Sequence, residues 1–225
     1  MAQHTDRRYE GELARLRQLV LEMGGLVESQ IADSVRALAS NDAEVARVTI
    51  GRDHEVNRYD VEIDEECLRL LALHQPAARD LRLITTGLKI TTDLERIGDL
   101  AVNVCERVVE RAGEGQEVRI DLPRMADVAR RMLRESLDAF VREDAELALK
   151  VCRDDDTIDA LHAAMFREMI DWMGSHPESI VGGTAQLFVS KYLERIADHA
   201  TNIAEMVIFM VKGKSIRHLS VPSSI

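Results

Sequence analysis

One stretch of this chain occurs twice, and that duplication limits the possible folds more than any other feature. Leu94-Glu-Arg-Ile-Gly-Asp99-Leu-Ala-Val-Asn103-Val-Cys-Glu106 returns about a hundred residues later as Leu193-Glu-Arg-Ile-Ala-Asp198-His-Ala-Thr-Asn202-Ile-Ala-Glu205. Upstream, Asn41-Asp-Ala-Glu-Val-Ala46 returns as Glu143-Asp-Ala-Glu-Leu-Ala148. Asp53-His-Glu-Val-Asn57 returns as Asp155-Asp-Thr-Ile-Asp159, and the breaks at Pro76 and Pro177 fall in step to within about a residue. The chain is therefore expected to hold two copies of one structural unit, with the boundary between residues 112 and 113: a first unit over 1–112 and a second over 113–225.

Each copy is helical in pattern. Leu16, Val20, Met23, Val27, Ile31, Val35 and Leu38 recur at steps of three and four, as in an amphipathic helix that buries one face. A second stripe runs from Val45 through Val56, Ile63 and Cys67 to Leu70, and a third from Leu81 through Leu94, Ile97 and Ala101 to Val108. Helix signals fall between the stripes: Asn41-Asp42 caps the second helix, His74-Gln75-Pro76 separates the second from the third, Gly113-Glu-Gly115 ends the third, and Asp121-Leu-Pro123 starts the fourth. The expected architecture is all-α: six long helices arranged as two tandem antiparallel three-helix bundles.

Composition removes several alternatives. Aromatic residues make up 4% of the chain and there are 4 prolines, too few for the many strands and turns of a β-sandwich or barrel. The formal charge of -11 would repel a polyanion, so nucleic acid is not an expected partner. The strongest apolar run, Met206 to Val211, is far short of the roughly 18 residues that a membrane span needs, so no membrane insertion is expected. Charged residues near the N-terminus are followed by no apolar segment of the signal-peptide kind, and Cys67, Cys105 and Cys152 are scattered without a Cys-x-x-Cys pair. A cytoplasmic protein with buried, reduced cysteines is the expectation.

The duplicated segment also carries the candidate chemistry. On a helical wheel Leu94, Ile97, Ala101 and Val104 share one side, and Glu95, Asp99, Asn103 and Glu106 lie nearly opposite. Glu95 and Asp99 are like charges one turn apart, which costs an isolated helix roughly 0.2–0.5 kcal/mol. A multivalent cation would reverse that cost, and oxygen-only donors suit magnesium, manganese or iron. On the second helix Asp53, Asn57, Asp60 and Asp64 form another polar stripe, and the fifth helix repeats it as Asp155 and Asp159, followed by His162. The alternative reading is a solvated charged face, common on helices of acidic proteins. Return of the acidic residues in register with the core residues puts a site on an equal footing with that reading. Arg96 and Arg195 are expected to pair with neighbouring acids, and His199 is read as a surface or boundary histidine, with a metal ligand one residue past Asp198 as the alternative. Glu-x-x-His pairs of the ferritin-like di-iron type do not occur, and no phosphate-cradling glycine loop or nucleophile-base constellation stands out. Lys212, Lys214, Arg217 and His218 form a basic C-terminal stretch that complements the last helix's dipole.

Together the two copies of Leu-Glu-Arg-Ile-x-Asp-x-Ala-x-Asn and the segment Leu70-Leu-Ala-Leu-His-Gln-Pro-Ala-Ala-Arg-Asp-Leu-Arg-Leu-Ile84 resemble the PhoU family along almost the whole chain. The resemblance implies a cytoplasmic regulator of phosphate uptake rather than an enzyme. Such a regulator acts as an adaptor between the ATPase subunit of a phosphate ABC transporter and a sensor histidine kinase, and represses the phosphate-starvation response. It also implies metal clusters on paired acidic motifs, with iron, manganese, zinc or magnesium as the divalent or trivalent ion. Carried onto this sequence, one cluster would use Glu95, Asp99, Asp53 and the position of Asn57, where an amide replaces the family's acid. The other would use Glu194, Asp198, Asp155 and Asp159. A homodimer is a further expectation. Two other classes stay open from the residues alone: a hydrolase with a carboxylate-bound dinuclear metal, and a metal-free structural adaptor.

Overall fold

The computed structural model describes residues 2–110 and 120–216, and every regular element among them is helical. The first half comprises α1 (Ala2–Ser40), α2 (Ala43–Gly51), α3 (Asp53–His74) and α4 (Ala78–Glu110). The second comprises α5 (Leu122–Arg142), α6 (Ala145–Ser175), a single 3-10 turn at Pro177–Ser179, and α7 (Ile180–Lys212). The expected all-α architecture holds. The helix end at Gly113-Glu-Gly115, the boundary between residues 112 and 113, and the basic residues Arg217 and His218 lie outside the described residues.

The duplication extends to single hydrogen bonds. Asp42 caps α2 by accepting from the backbone N–H groups of Glu44 and Val45, and Asp144 caps α6 by accepting from those of Glu146 and Leu147. The residue before each cap takes a left-handed conformation, Asn41 at φ 51° and Glu143 at φ 53°. The Ser34 hydroxyl donates to the Ile31 carbonyl at 2.9 Å, and Ser136 repeats this to Leu133 at 2.8 Å. These pairs put α1 and α5 in register at an offset of 102. Asp121 caps α5 through the Arg124 N–H, with Pro123 in the first turn as its sequence suggests.

The copies differ on the backbone at the turn before the last helix, left-handed at Gln75 and Ala78 in the first and a 3-10 turn in the second, and within the second helix. The second helix of the first half is interrupted at Arg52, whose N–H reaches the Val48 and Thr49 carbonyls and whose Nη1 lies 3.4 Å from Asp33 Oδ2. Its counterpart α6 runs unbroken for 31 residues. The interruption makes Asp53 the first residue of α3, where a carboxylate is favoured by the helix dipole.

The two halves share one core. Within the first, α1 packs on α4 and both contact α2 and α3. Within the second, α5 and α6 pack on α7. The halves join where α4 meets α7 and where α1 meets α5. Leu16, Met23, Ile31, Ile90, Leu94, Ile97, Phe140, Leu193 and Ile196 are all fully buried in the same cluster. Gly24 allows α1 to approach α5 closely: a Cβ there would come within 2.2 Å of Leu137 Cδ1. Polar ties cross the same joint. Arg130 and Arg134 both reach Glu28, which holds that carboxyl below its usual pKa range. Arg17 and Arg79 both bind Glu143. Arg82 Nε donates to the Met210 carbonyl at 2.9 Å, in the last turn of α7. Cys67, Cys105 and Cys152 are buried thiols, and burial pushes each up to about 12.

A shared core should unfold as one unit. Phe140→Ala, which empties a fully buried aromatic site, is expected to cost about 3–5 kcal/mol and to move a single urea transition seen equally by fluorescence and circular dichroism. Two separated transitions would show that the halves are independent.

Candidate metal centres

The repeated acidic segments sit at two seams, α3–α4 and α6–α7. Viewed on α4 alone, Glu95 and Asp99 point away from the core stripe. The second helix of the half packs along that side, so these carboxylates are not the fully solvated face that the wheel suggests. The Glu95 side chain is 28% exposed and its counterpart Glu194 only 13%.

In the first seam, burial raises the Glu95 pKa above the usual carboxylate value, and the charges of Asp99, Asp60 and Asp53 add to the effect. Asp60 is raised too, by burial and by Asp64. Three of the predicted residues, Glu95, Asp99 and Asp53, are thus in electrostatic reach of one another. Asn57, the fourth, lies at the edge and donates from Nδ2 to Asp53 Oδ2 at 3.0 Å. Arg96 stands over the pair on α4, 3.5 Å from Glu95 and 3.7 Å from Asp99, as its sequence position suggests.

The second seam is more acidic. Asp155 is pushed up to about 6 by burial, reinforced by the charges of Asp198, Asp159 and Asp156 and opposed by a 3.1 Å hydrogen bond from the Thr201 hydroxyl. Asp198 rests at the surface of the seam, where partial desolvation raises it and Glu194 and Asp159 raise it further. All four predicted residues, Glu194, Asp198, Asp155 and Asp159, therefore share one local field. Glu194 forms an ion pair with Lys191, three residues earlier on α7. His162 follows Asp159 on α6 and packs toward Phe166, with ring centroids 6.4 Å apart.

Both seams suit a hard cation in donor type and in charge: oxygen ligands with an excess of negative charge that the folded chain does not neutralise. Among the described residues, no three His, Cys, Asp or Glu side chains form a ready-made cage. Five of the seven predicted carboxylates are instead turned toward a local partner: Asp53 to Asn57, Glu95 and Asp99 to Arg96, Asp155 to Thr201, and Glu194 to Lys191. Coordination of a cation would require these contacts to give way.

Several residues in or beside the seams were not evident from the sequence. His199 is half-buried, with Nδ1 2.7 Å from Asp93 Oδ1, and ties α7 to α4 across the joint between the halves. Asp93 precedes the repeated motif and its partner lies on the far copy, so no local pattern reveals the pair. Thr201 is visible only once α6 and α7 are packed. Gln30 of α1 is fully buried, and neither its Nε2 nor its Oε1 has a hydrogen-bond partner. The sequence did carry a signal for its surroundings: Gly98 in the first copy of the motif is Ala197 in the second.

Comparison with known proteins bears on both halves. The PhoU domain family model matches residues 20–108 and again 122–207. A curated relative from Pseudomonas putida, described as a phosphate-specific transport system accessory protein PhoU homolog, is 41% identical over 221 residues, covering 97% of this chain and 86% of the relative. The crystal structure of PhoU from Pseudomonas aeruginosa superposes with a TM-score of 0.87 at 41% identity, over 92% of this chain and all of that one. The phosphate transport system regulatory protein PhoU from Streptococcus pneumoniae gives 0.86 at 34% identity, over 92% of this chain and 98% of that one.

The second seam makes stability depend on pH. Between the ordinary aspartate pKa of about 3.9 and the value of about 6 for Asp155, the folded chain binds more protons than the unfolded one. The contribution of Asp155 to the stability of the metal-free chain therefore falls as pH rises through that window and stays lower above it. Asp155→Asn is expected to stabilise the metal-free protein at about pH 7.5 by about 1 kcal/mol, after allowance for solvent screening, and to change little at about pH 4. Denaturation midpoints at the two pH values check this, and a gain confined to the acid side would contradict it.

Proposed function

The chain belongs to the PhoU family, and on that premise we propose that it is a cytoplasmic accessory regulator of phosphate transport. In this reading it is not an enzyme. It is a helical adaptor between the ATPase subunit of a phosphate ABC transporter and a sensor histidine kinase, and it holds the phosphate-starvation response down when phosphate is plentiful. The observation that carries the reading is the match of both halves to the PhoU domain, together with relatives named as accessory or regulatory proteins of phosphate transport.

The architecture supports such a role physically. A continuous core through both halves makes a stiff platform, and duplication gives it two related but unequal faces. A platform of this kind passes on transporter state only if it binds one state more tightly than another, since a ligand shifts an equilibrium by its differential affinity alone. No helix among the described residues is long and apolar enough to cross a membrane, which agrees with docking onto membrane proteins from outside the bilayer. A homodimer would present each face twice.

We assign the two seams as metal sites within this role. Glu95, Asp99 and Asp53, with Asn57 beside them, would hold one site. Glu194, Asp198, Asp155 and Asp159 would hold the other, and its extra carboxylate makes it the stronger. The ion would be iron, manganese, zinc or magnesium, and when bound it supplies neutralisation of the crowded carboxylates. The chain's own part is to keep those carboxylates close at a cost in the metal-free state, so that binding tightens each seam and changes the charge of the face presented to a partner.

Two measurements test the reading. The purified chain is expected to bind the isolated transporter ATPase subunit and the cytoplasmic part of the kinase in size-exclusion and biolayer experiments, and binding to neither would overturn the adaptor role. Elemental analysis of protein purified without an affinity tag should find metal that falls in the Glu194→Ala/Asp198→Ala variant while helicity is kept. A folded protein free of metal in both forms would remove the metal assignment and leave the seams as charged docking surfaces.

A further inference from the structure

Among the described residues, Gln30 alone leaves two buried side-chain polar atoms without a partner, and the seams as described give it no task. It lies in the middle of α1, is fully buried, and has no partner for either amide atom. An unpaired buried polar group destabilises the fold, and native proteins keep few of them without a reason. Its location suggests the reason. Gly98 of α4 faces α1 and α3, and a Cβ placed on it would lie 3.4 Å from Gln30 Oε1, 3.5 Å from Val56 Cγ1 and 3.6 Å from Asp53 Oδ1. The buried amide and the first-seam carboxylate of Asp53 thus converge on one corner, and the missing side chain of Gly98 leaves them open to each other.

The other copy lacks this arrangement. With α1 and α5 in register at an offset of 102, the counterpart of Gln30 is Met132, which is fully buried and apolar. The counterpart of Gly98 is Ala197, whose methyl group occupies the equivalent position on α7. The first seam therefore has a polar floor and the second an apolar one. The same first seam carries Asn57 where the second carries Asp159, so it is one carboxylate short at its rim.

We propose that Gln30 is a functional member of the first metal site, binding through the corner at Gly98 a water ligand of a hard divalent cation held by Asp53 and Glu95. This rests on the reading of the first seam as a metal site. Magnesium and manganese keep several of their waters when carboxylates bind them, and such waters are donors in search of acceptors. The carbonyl oxygen of Gln30 is an acceptor with none of its capacity used, and it is held in place by the packing of three helices. Partners of this kind orient a site without touching the ion, and their removal typically weakens metal binding by about tenfold or more. The duplication has thereby yielded two chemically distinct sites: one relies on four carboxylates, and the other replaces one of them with a buried amide.

The test uses the full chain in a Glu194→Ala/Asp198→Ala background, so that only the first seam binds. Manganese affinity is measured by electron paramagnetic resonance of the free ion, and thermal midpoints are recorded with and without manganese. Gln30→Met, which installs the residue of the other copy, is expected to weaken manganese binding by about tenfold and to raise the midpoint of the metal-free protein. Gly98→Ala, which closes the corner while keeping Gln30, should weaken binding as well, with helicity unchanged. If the background protein binds manganese and both variants bind it equally well, Gln30 is a structural residue only and the inference fails alone. If the background protein binds no manganese, the metal reading of the first seam fails and takes the inference with it.

Discussion

Everything in this molecule hangs on the contact between α4 and α7, the last helices of the two copies. Each must bury one side against its own three-helix unit and another against its counterpart, so little of either surface is left free. Of the positions from Ile90 to Val108, ten are buried, including Gly98 and Cys105, which lie off the simplest apolar stripe. The acidic residues of the repeat occupy what remains, the strip facing α3 or α6. Their placement is a consequence of packing: once α4 and α7 meet along their length, a carboxylate at position 95 or 194 can only lie in a seam between helices of the same half. Burial then raises the carboxyls, because the protein interior solvates an anion less well than water does.

That constraint explains why the seams are charged at a cost. Nearby cations are scarce and placed at the margins: Arg96 is largely exposed and lies 3.5 Å or more from its acids, and Lys191 pairs with Glu194 and offsets only part of the rise at Asp198. Elsewhere the chain neutralises acids more fully. Glu28 is clasped by two arginines, Glu143 by two, and Glu12 by Arg69, Arg8 and His74. The chain supplies double and triple partners at its structural joints and leaves like charges crowded at two related seams, and that contrast is what marks the seams as candidate sites.

Much of this was legible in the sequence, for a physical reason. Periodicity reports burial, caps report helix starts, and repetition reports that one unit was used twice, so the succession of long helices, the Asp42 and Asp121 caps and the recurrence of the acidic residues could be read from the chain, while their pairing across helices came from the family resemblance. Tertiary proximity could not. Asp93 and His199 are separated by 106 residues, and Thr201 meets Asp155 only through helix packing. The break at Arg52 was hidden because Val45, Val48 and Val56 continue a helical rhythm across it, and only the Asp33 contact and local backbone bonds show where the helix divides. Gln30 was hidden in another way: it closes the polar run Glu28-Ser29-Gln30, which is easily taken for a surface stretch, and the wheel alone does not tell how much of α1 is covered by α3, α4 and α5.

The differences between the copies carry as much information as the identities. Duplication begins with two equal sites, and packing then preserves the core in both, as the Asp42/Asp144 caps and the Ser34/Ser136 bonds attest. Among the places where the copies diverge, four set one seam apart from the other: Asn57 for Asp159, Gly98 for Ala197, Gln30 for Met132, and a broken helix for a continuous one. These differences, including a buried amide that weakens the metal-free fold, give the chain two unequal faces, and a surface that must tell two partners apart gains nothing from being presented twice.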